Sequence, residues 1–181
     1  MQAGPFPGKP DLFPCRSPGI FAPMTRQERR ALQGIAVGGL IAGTLDISYA
    51  CIATWILAAK PPAYVLQSVA SGILGQPAYD GGTPVAAFGL LLHYFIATTW
   101  TLVFSVASRR LRFLLQQPWL IGPLFGVVIY LVMNWVVIPI SAAPFGPPHR
   151  LVTIARGLAI HMFGIGLPIA LATRWGSRGA A

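Results

Sequence analysis

Residues 34–59 read GIAVGGLIAGTLDISYACIATWILAA, an apolar run interrupted near its middle by one acidic side chain, Asp46. At a rise of about 1.5 Å per residue, roughly 20 apolar residues in an α-helix cross the hydrocarbon core of a bilayer. Lipid offers backbone amides no hydrogen-bond partner, so a run that crosses must be helical. The stretch therefore predicts a membrane-spanning helix with a carboxyl group inside hydrocarbon, and such a group must be paired, neutral or functional.

Three further apolar runs follow the first, and each is long enough to cross a bilayer. They cover residues 84–107, 118–140 and 152–173. Of the 181 residues, 55% are hydrophobic and only 9% are charged, a composition that favours lipid over water as the surrounding solvent. The sequence therefore predicts an all-α fold, an integral membrane four-helix bundle. The bundle is expected over residues 25–175, with a disordered cytoplasmic tail at 1–24 and a short cytoplasmic tail at 176–181.

Basic residues mark the ends of the predicted spans and give them a direction. They precede the first span, lie between the second and third, and follow the fourth. The other two connections carry only Lys60 and Arg150 as basic residues. Because Lys and Arg concentrate in cytoplasmic loops, both termini are predicted to face the cytoplasm. The formal charge of +9 lies at span ends rather than on a basic, aromatic surface, so the expected partner is the lipid bilayer and not nucleic acid.

A shorter apolar segment, residues 63–75, lies between the first two spans. One face of a helix over this segment is apolar, formed by Val65, Leu66, Val69 and Ile73. The segment is too short to cross a bilayer, so the sequence predicts an interfacial helix, or one folded partly back into the membrane. A lid packed on the bundle is favoured over a channel filter. Farther upstream, Thr25 and Glu28 have the spacing of a capping box, which predicts that the first helix begins outside the bilayer.

Two patterns recur along the chain. The second and fourth spans share Gly-Leu-x-x-His-x-Phe, at residues 89–95 and 157–163. The first and third spans share Gly-x-x-x-Gly, a pattern of close helix packing. Its glycines are Gly39, Gly43, Gly122 and Gly126. The recurrence predicts an internal repeat of two parallel helix pairs, and the glycine faces predict a homo-oligomer.

Each recurring histidine follows a glycine of the same span by one helical turn. Gly89 and His93 share one face of the second span, and Gly157 and His161 share one face of the fourth. A small residue there lets another backbone, or a flat ligand, approach beside the imidazole. Two interpretations remain open: a ligand site beside the histidines, or close helix packing in which each histidine bonds a neighbouring carbonyl or hydroxyl group.

Asp46, His93 and His161 are predicted to lie at similar depths in the membrane. An aspartate with one or two imidazoles is a self-consistent set inside hydrocarbon, because a protonated imidazole can balance the carboxylate. Small residues on the same face of the first span turn Asp46 toward the bundle interior rather than toward lipid. Tyr49, three residues farther along, is a predicted hydrogen-bond neighbour of Asp46. We therefore expect a buried, proton-responsive polar core.

Two secondary polar side chains are open to more than one interpretation. If the fourth span begins at Gly157, Arg156 extends to the headgroups and His161 lies at a shallower depth than His93. Asn134, near the outer end of the third span, either bonds Arg156 or joins helices together.

Motifs of common enzymes and cofactor sites do not occur in the sequence. It has no P-loop, no His-Glu-x-x-His, no Cys-x-x-Cys and no Gly-x-Ser-x-Gly, and Asp46 is its only acidic residue within a span. We therefore predict a non-enzymatic protein without cofactor or metal, with a proton-responsive transport or accessory role. Two alternatives remain: His93 and His161 ligate one haem b, which predicts a visible Soret band, or the protein is purely a structural assembly partner.

Three segments of the chain resemble a known group of proteins. They are LQSVASGILG at residues 66–75, GLLLH at 89–93 and PISAAP at 139–144. In these segments the chain looks like small bacterial membrane proteins and, more remotely, is similar to the YagU-like inner-membrane proteins of the DUF1440 group. The resemblance spans residues 34–175 and implies a four-span fold in a bacterial inner membrane. It implies no catalytic residue.

Overall fold

The computed structural model describes residues 24–178, so residues 1–23 and 179–181, which belong to the two predicted tails, lie outside the described part. Within it, the chain forms five α-helices and no strand, which confirms the all-α fold class. In chain order they are α1 (Arg26–Ala58), α2 (Pro62–Leu74), α3 (Gly82–Arg110), α4 (Pro118–Ile140) and α5 (Leu151–Ser177). All except α2 are long and apolar enough to cross a membrane.

α4 coincides with its predicted span, whereas α1 at its start, and α3 and α5 at both ends, extend beyond theirs. α1 begins at its capping box: Thr25 Oγ1 accepts a hydrogen bond from the Glu28 amide at 3.2 Å, and the Glu28 carboxylate accepts one from the Thr25 amide at 2.8 Å. α5 begins at Leu151 and ends at Ser177, so Arg156 lies inside the helix, with an exposed side chain. The difference arises because a helix can continue into the headgroup region after its apolar part ends.

The Gly-x-x-x-Gly pairs of α1 and α4 each pack against the next long helix. The contacts are Gly39 with Thr98, Gly43 with Tyr94, Gly122 with Gly166, and Gly126 with Met162. Thr98 and Gly166 occupy matching positions of the two Gly-Leu-x-x-His spans, as do Tyr94 and Met162. Both halves therefore form the same kind of helix pair, although the internal repeat itself stays a prediction. These four glycines make their close contacts within the chain, and the homo-oligomer stays a prediction.

The two helix pairs meet along α1 and α5. A Cβ atom built on Gly34 would lie 2.9 Å from the carbonyl oxygen of Ala172, so the two backbones approach closely there. At the ends of these helices, Arg30 Nη1 donates a hydrogen bond to the Arg178 carbonyl at 3.0 Å. The start of α1 and the end of α5 therefore lie at one end of the bundle, here called the terminal end. Between the pairs, the buried core includes Phe104, Ile129, Ile165 and Ile169.

α2 lies across the opposite end of the bundle. Its Leu66 carbonyl contacts Gly89 of α3, and its Gly72 carbonyl accepts a hydrogen bond from the Ala142 amide, just after α4, at 3.0 Å. The short helix thus bridges the two helix pairs. We define the roof as α2 together with residues 141–145. The predicted short helix is present, and it covers the interior of the bundle.

A disulfide across the roof tests this arrangement. A Cβ atom built on Gly72 lies 4.0 Å from the Ser141 Cβ, within the span of about 3.5–4.5 Å that a disulfide requires. In a chain lacking both native cysteines, Gly72→Cys with Ser141→Cys should therefore oxidise to an intramolecular disulfide, detected by mass spectrometry after thiol blocking.

The matched control pair is Gly72→Cys with Gly146→Cys. It should stay reduced, because nothing in the described chain lies within 4 Å of a Cβ atom built on Gly146. Two free thiols in the Gly72 and Ser141 pair would show that α2 lies elsewhere.

Candidate functional site

Beneath the roof, the bundle contains a cavity of about 400 Å³. All five helices contribute to its lining, most of which is apolar. Apart from the indole of Trp100, its polar side chains are Asp46, Ser68, His93, Asn134, Ser141 and His161. Sites for small molecules measure about 300–1,000 Å³ and combine an apolar wall with a few polar groups. By size and lining, the cavity is a candidate binding site.

Two of these polar side chains are placed by a wide turn in the helix that carries them. α4 contains a π-helical turn at Met133–Val137, which includes Asn134, and α5 contains one at His161–Gly166. Pro139 and Pro168 follow the two turns closely, and neither can donate the backbone hydrogen bond that a regular α-helix requires. A π-helical turn reorients the side chains within it and is frequent at functional sites. Both polar side chains reach the cavity from such a turn.

Asp46 and His93 form an ionisable pair at the cavity. The Nε2 atom of His93 lies 4.0 Å from Asp46 Oδ2 and donates a hydrogen bond to the Gly43 carbonyl at 2.9 Å. A carbonyl oxygen only accepts, so this nitrogen carries the hydrogen. At 4.0 Å the carboxylate and the imidazole form no hydrogen bond with each other, so the carboxylate keeps acceptor capacity for a ligand or water.

His161 reaches the same cavity from α5. Its Nδ1 atom donates a hydrogen bond to the Gly157 carbonyl, one turn earlier, at 2.9 Å, which places the hydrogen on Nδ1. Its ring meets the ring of Tyr130 edge to face, with centroids 5.2 Å apart. Among the described residues that line the cavity, the ionisable side chains are Asp46, His93 and His161. The structure thus brings the predicted acid and both predicted imidazoles to one place.

None of the three ionisable side chains is fully buried, contrary to the predicted buried core. The side chains of His93 and Asp46 keep 13% and 21% of their surface exposed, and His161 is half-buried. The reason is the cavity, because the three groups border open space beneath the roof instead of close-packed helix surfaces.

Of the other predicted polar residues, Asn134 lines the cavity, whereas Arg156 and Tyr49 lie outside its lining. Asn134 Nδ2 donates a hydrogen bond to the Tyr130 carbonyl on its own helix at 2.9 Å, and Arg156 is exposed. The amide of Asn134 is therefore held within α4 rather than by Arg156. Tyr49 is half-buried on α1 but lies outside the cavity lining. Tyr49 follows Asp46 by three residues and therefore lies near it on the surface of α1. The side of α1 that borders the cavity includes Asp46 and not Tyr49.

The space beside the glycine that precedes each histidine is filled by protein. A Cβ atom on Gly89 would collide with the Leu66 carbonyl of α2, and one on Gly157 would lie 2.5 Å from the ring of Tyr130. These contacts fit the interpretation in which the glycines allow close helix packing. They leave no space for a flat ligand directly beside either glycine.

The cofactor hypothesis depends on His93 and His161. Each ring has one nitrogen bonded to a backbone carbonyl, which leaves Nδ1 of His93 and Nε2 of His161 for other partners. Ligation of haem b by the two imidazoles stays a prediction, with the Soret band as its expected mark. In residues 24–178, no cluster of three or more His, Cys, Asp or Glu side chains is placed to hold a metal ion.

Comparisons of the chain with known protein families, with curated protein sequences and with solved structures give no match. The resemblance to YagU-like inner-membrane proteins therefore stays a prediction. No activity, ligand or partner is assigned to the chain by similarity, so its chemistry has to follow from the cavity and the residues that line it.

Several cavity residues were not predicted as functional. The roof contributes Ser68 from α2, and Ser141 and Phe145 from the segment after α4. The sequence predicts α2 as an interfacial or partly re-entrant helix or a lid packed on the bundle, and it assigns none of its residues to a site, because an amphipathic face has the same pattern whether it meets a membrane surface or a cavity. Pro139 and Pro168 were a usable signal, since proline within a span commonly marks a distorted helix.

Proposed function

We propose that the protein is a non-enzymatic, multi-pass protein of a bacterial inner membrane whose cavity binds a small solute in a proton-responsive manner. Transport of that solute, or an accessory role in its transport, would use such a site. The observation that carries the proposal is the convergence of Asp46, His93 and His161 on one cavity. Imidazoles change charge near neutral pH, and ionisable residues within membrane spans are costly unless they serve a function.

Electrostatic coupling within the cavity supports a proton-responsive site. Protonation of His93 places a positive charge 4.0 Å from the Asp46 carboxylate. Two charges at such a distance interact several times more strongly in a protein environment than in bulk water. Loss of the proton removes the counter-charge of the carboxylate. The protonation state of the imidazole thus changes the charge that a solute in the cavity meets.

Histidine NMR tests the proposal. In protein with isotope-labelled histidine, Asp46→Asn should change how the imidazole signals of His161 respond to pH, because the carboxylate that shares its cavity is removed. His149 is the internal control, since it is exposed between α4 and α5 and lies outside the cavity lining. The pH response of its signals should be the same in both proteins. An unchanged pH response of the His161 signals would reject the proton-responsive site and favour a purely structural role.

We further propose that the terminal end of the bundle faces the cytoplasm and that the roof faces the periplasm. Basic side chains support this orientation, because they concentrate at the terminal end, as they do in cytoplasmic loops. They are Arg26, Arg29, Arg30, Arg109, Arg110, Arg112, Arg174 and Arg178. In the roof half of the bundle the basic residues are Lys60, Arg150 and Arg156.

Cysteine labelling checks the orientation. In a chain lacking native cysteines, Asp80→Cys, which is exposed beside the roof, should react with a membrane-impermeant maleimide in intact spheroplasts. Arg112→Cys, exposed at the terminal end, should react only after the membrane is opened. The contrast should be nearly complete, because the bilayer excludes the charged reagent. Labelling of the terminal position alone, or of both positions, in intact spheroplasts would contradict the orientation.

A further inference from the structure

Hydrogen bonds to the backbone determine what the two imidazoles offer a ligand. His93 Nε2 donates to the Gly43 carbonyl and His161 Nδ1 donates to the Gly157 carbonyl, each at 2.9 Å. A neutral imidazole has one N–H donor and one nitrogen with a lone pair. The second nitrogen of each ring, Nδ1 of His93 and Nε2 of His161, is therefore a hydrogen-bond acceptor when the ring is neutral.

The two serines of the lining have already used their single donor. Ser68 Oγ donates a hydrogen bond to the Val65 carbonyl at 2.7 Å, and Ser141 Oγ donates one to the Ile138 carbonyl at 2.8 Å. A hydroxyl group has one hydrogen and two lone pairs, and Ser141 Oγ already accepts a hydrogen bond from the Ala143 amide at 3.3 Å. Each oxygen still keeps acceptor capacity, which for Ser141 is one lone pair. The serines therefore offer a ligand lone pairs and no hydrogen.

Asn134 and Asp46 contribute further hydrogen-bond acceptors to the cavity lining. Asn134 Nδ2 donates one of its two hydrogens to the Tyr130 carbonyl, at 2.9 Å, so the side chain offers Oδ1 as an acceptor and keeps one further N–H. The ionised carboxylate of Asp46 can only accept hydrogen bonds. When both imidazoles are neutral, the ionised Asp46 is the charged side chain among the described residues that line the cavity. Against these acceptors stand two neutral donors of the lining, one N–H of Asn134 and the indole N–H of Trp100. The polar side of the cavity therefore has more acceptors than donors and is negatively charged.

The remaining wall of the cavity is apolar. It includes the aromatic rings of Trp100 and Phe145 and the aliphatic side chains of Ile73, Ile96 and Met133. Aromatic faces attract organic cations, and apolar walls remove apolar surface from water. A strongly hydrated inorganic ion gains nothing from such a wall, and an anion would be repelled by the carboxylate.

We propose that the cavity binds a small organic cation, a protonated amine with an apolar body, whose ammonium group lies at Asp46 and whose body contacts the apolar wall. The proposal rests on the proton-responsive site of the proposed function and names the class of its solute. The titratable groups that face Asp46 across the described lining are His93 and His161. Both are neutral when the amine is bound, because a protonated imidazole would repel the ammonium group.

Calorimetry on the purified full-length protein in detergent tests the ligand class with three probes of similar size. They are phenethylamine as the cation, phenethyl alcohol as the neutral analogue and phenylpropionate as the anion. Phenethylamine should bind, and the other two should bind roughly 10- to 100-fold more weakly, the factor expected for a hydrogen bond to a charged group. Equal binding of the alcohol, or preference for the anion, would overturn the proposal.

Variants locate the ammonium group. Asp46→Asn should weaken phenethylamine binding by the same factor of roughly 10 to 100. Ser48→Ala is the matched control, because Ser48 is exposed on the same helix outside the lining, and it should leave binding unchanged. Unchanged binding by Asp46→Asn would overturn the placement at the carboxylate. Tighter binding of zinc ion alone than of phenethylamine would overturn the choice of an organic cation.

The proposal of an organic cation and the proposal of a proton-responsive site can be rejected independently of each other. If Asp46→Asn changes the pH response of the His161 signals but phenethylamine does not bind to the native protein, the cation proposal is rejected and the proposed function stands. If that response does not change, the proposed function is rejected whatever the probes show.

Discussion

Replacing Gly126 by alanine is expected to lower the free energy of unfolding by about 1–3 kcal/mol, the range for adding a methyl group to a filled interior. A Cβ atom at this position would collide with the carbonyl group of His161 on α5. That carbonyl belongs to a helix backbone and cannot rotate aside as a side chain would, so α4 and α5 have to separate. Because His161 lines the cavity, the loss of stability should come with a change at the site.

Unfolding in detergent, followed by circular dichroism, measures this effect. Gly146→Ala is the matched control, because a Cβ atom there meets nothing within 4 Å in the described chain. Its stability should stay within about 0.5 kcal/mol of the native protein. A Gly126→Ala variant as stable as this control would contradict the close contact between α4 and α5.

The second large effect concerns the carboxyl group of Asp46. A protonated carboxyl group has an infrared C=O stretching band that an ionised carboxylate lacks. In difference spectra between acidic and alkaline pH, Asp46→Asn should remove one such band completely. The chain has only four acidic residues, so the band can be assigned by comparing variants. Asp80→Asn is the control, since Asp80 is exposed near the roof and should contribute a separate band.

The four long helices could be predicted because a bilayer permits few structures. An apolar run of sufficient length must be helical in lipid, and four such runs correspond to α1, α3, α4 and α5. Their ends were harder to predict, since hydropathy locates the hydrocarbon and not the last helical residue. α1 is the exception, because the capping box of Thr25 and Glu28 marks its first turn in the sequence itself.

The ionisable residues of the cavity could be selected from the sequence, but their contacts could not. Asp46, His93 and His161 stand out because ionisable side chains are rare in spans. Helical periodicity then shows which face a residue occupies and not which other helix meets that face. The partner of His93 is the carbonyl of Gly43, 50 positions away along the chain, and no local pattern specifies that pair.

The roof depends on tertiary structure in the same way. The amphipathic pattern of α2 fits a membrane surface as well as a cavity, and only its contacts with Gly89 and Ala142 decide between them. Tyr49 shows the opposite case, since its spacing from Asp46 indicates proximity but the cavity lies on another part of α1. Local patterns therefore predicted the elements and their rare residues, whereas the packing of the helices determines which of those residues meet.

The central claim is that Asp46, His93 and His161 face one cavity, and the frequency of the Asp46 infrared C=O band tests it most directly. The frequency of this band depends on the polar groups that surround the protonated carboxyl group. His93→Gln and His161→Gln should each shift the frequency, because both imidazoles line the cavity with Asp46. His149→Gln should leave it unchanged, because His149 is exposed outside the lining. An Asp46 band at the same frequency in the native protein and in all three histidine variants would contradict the account.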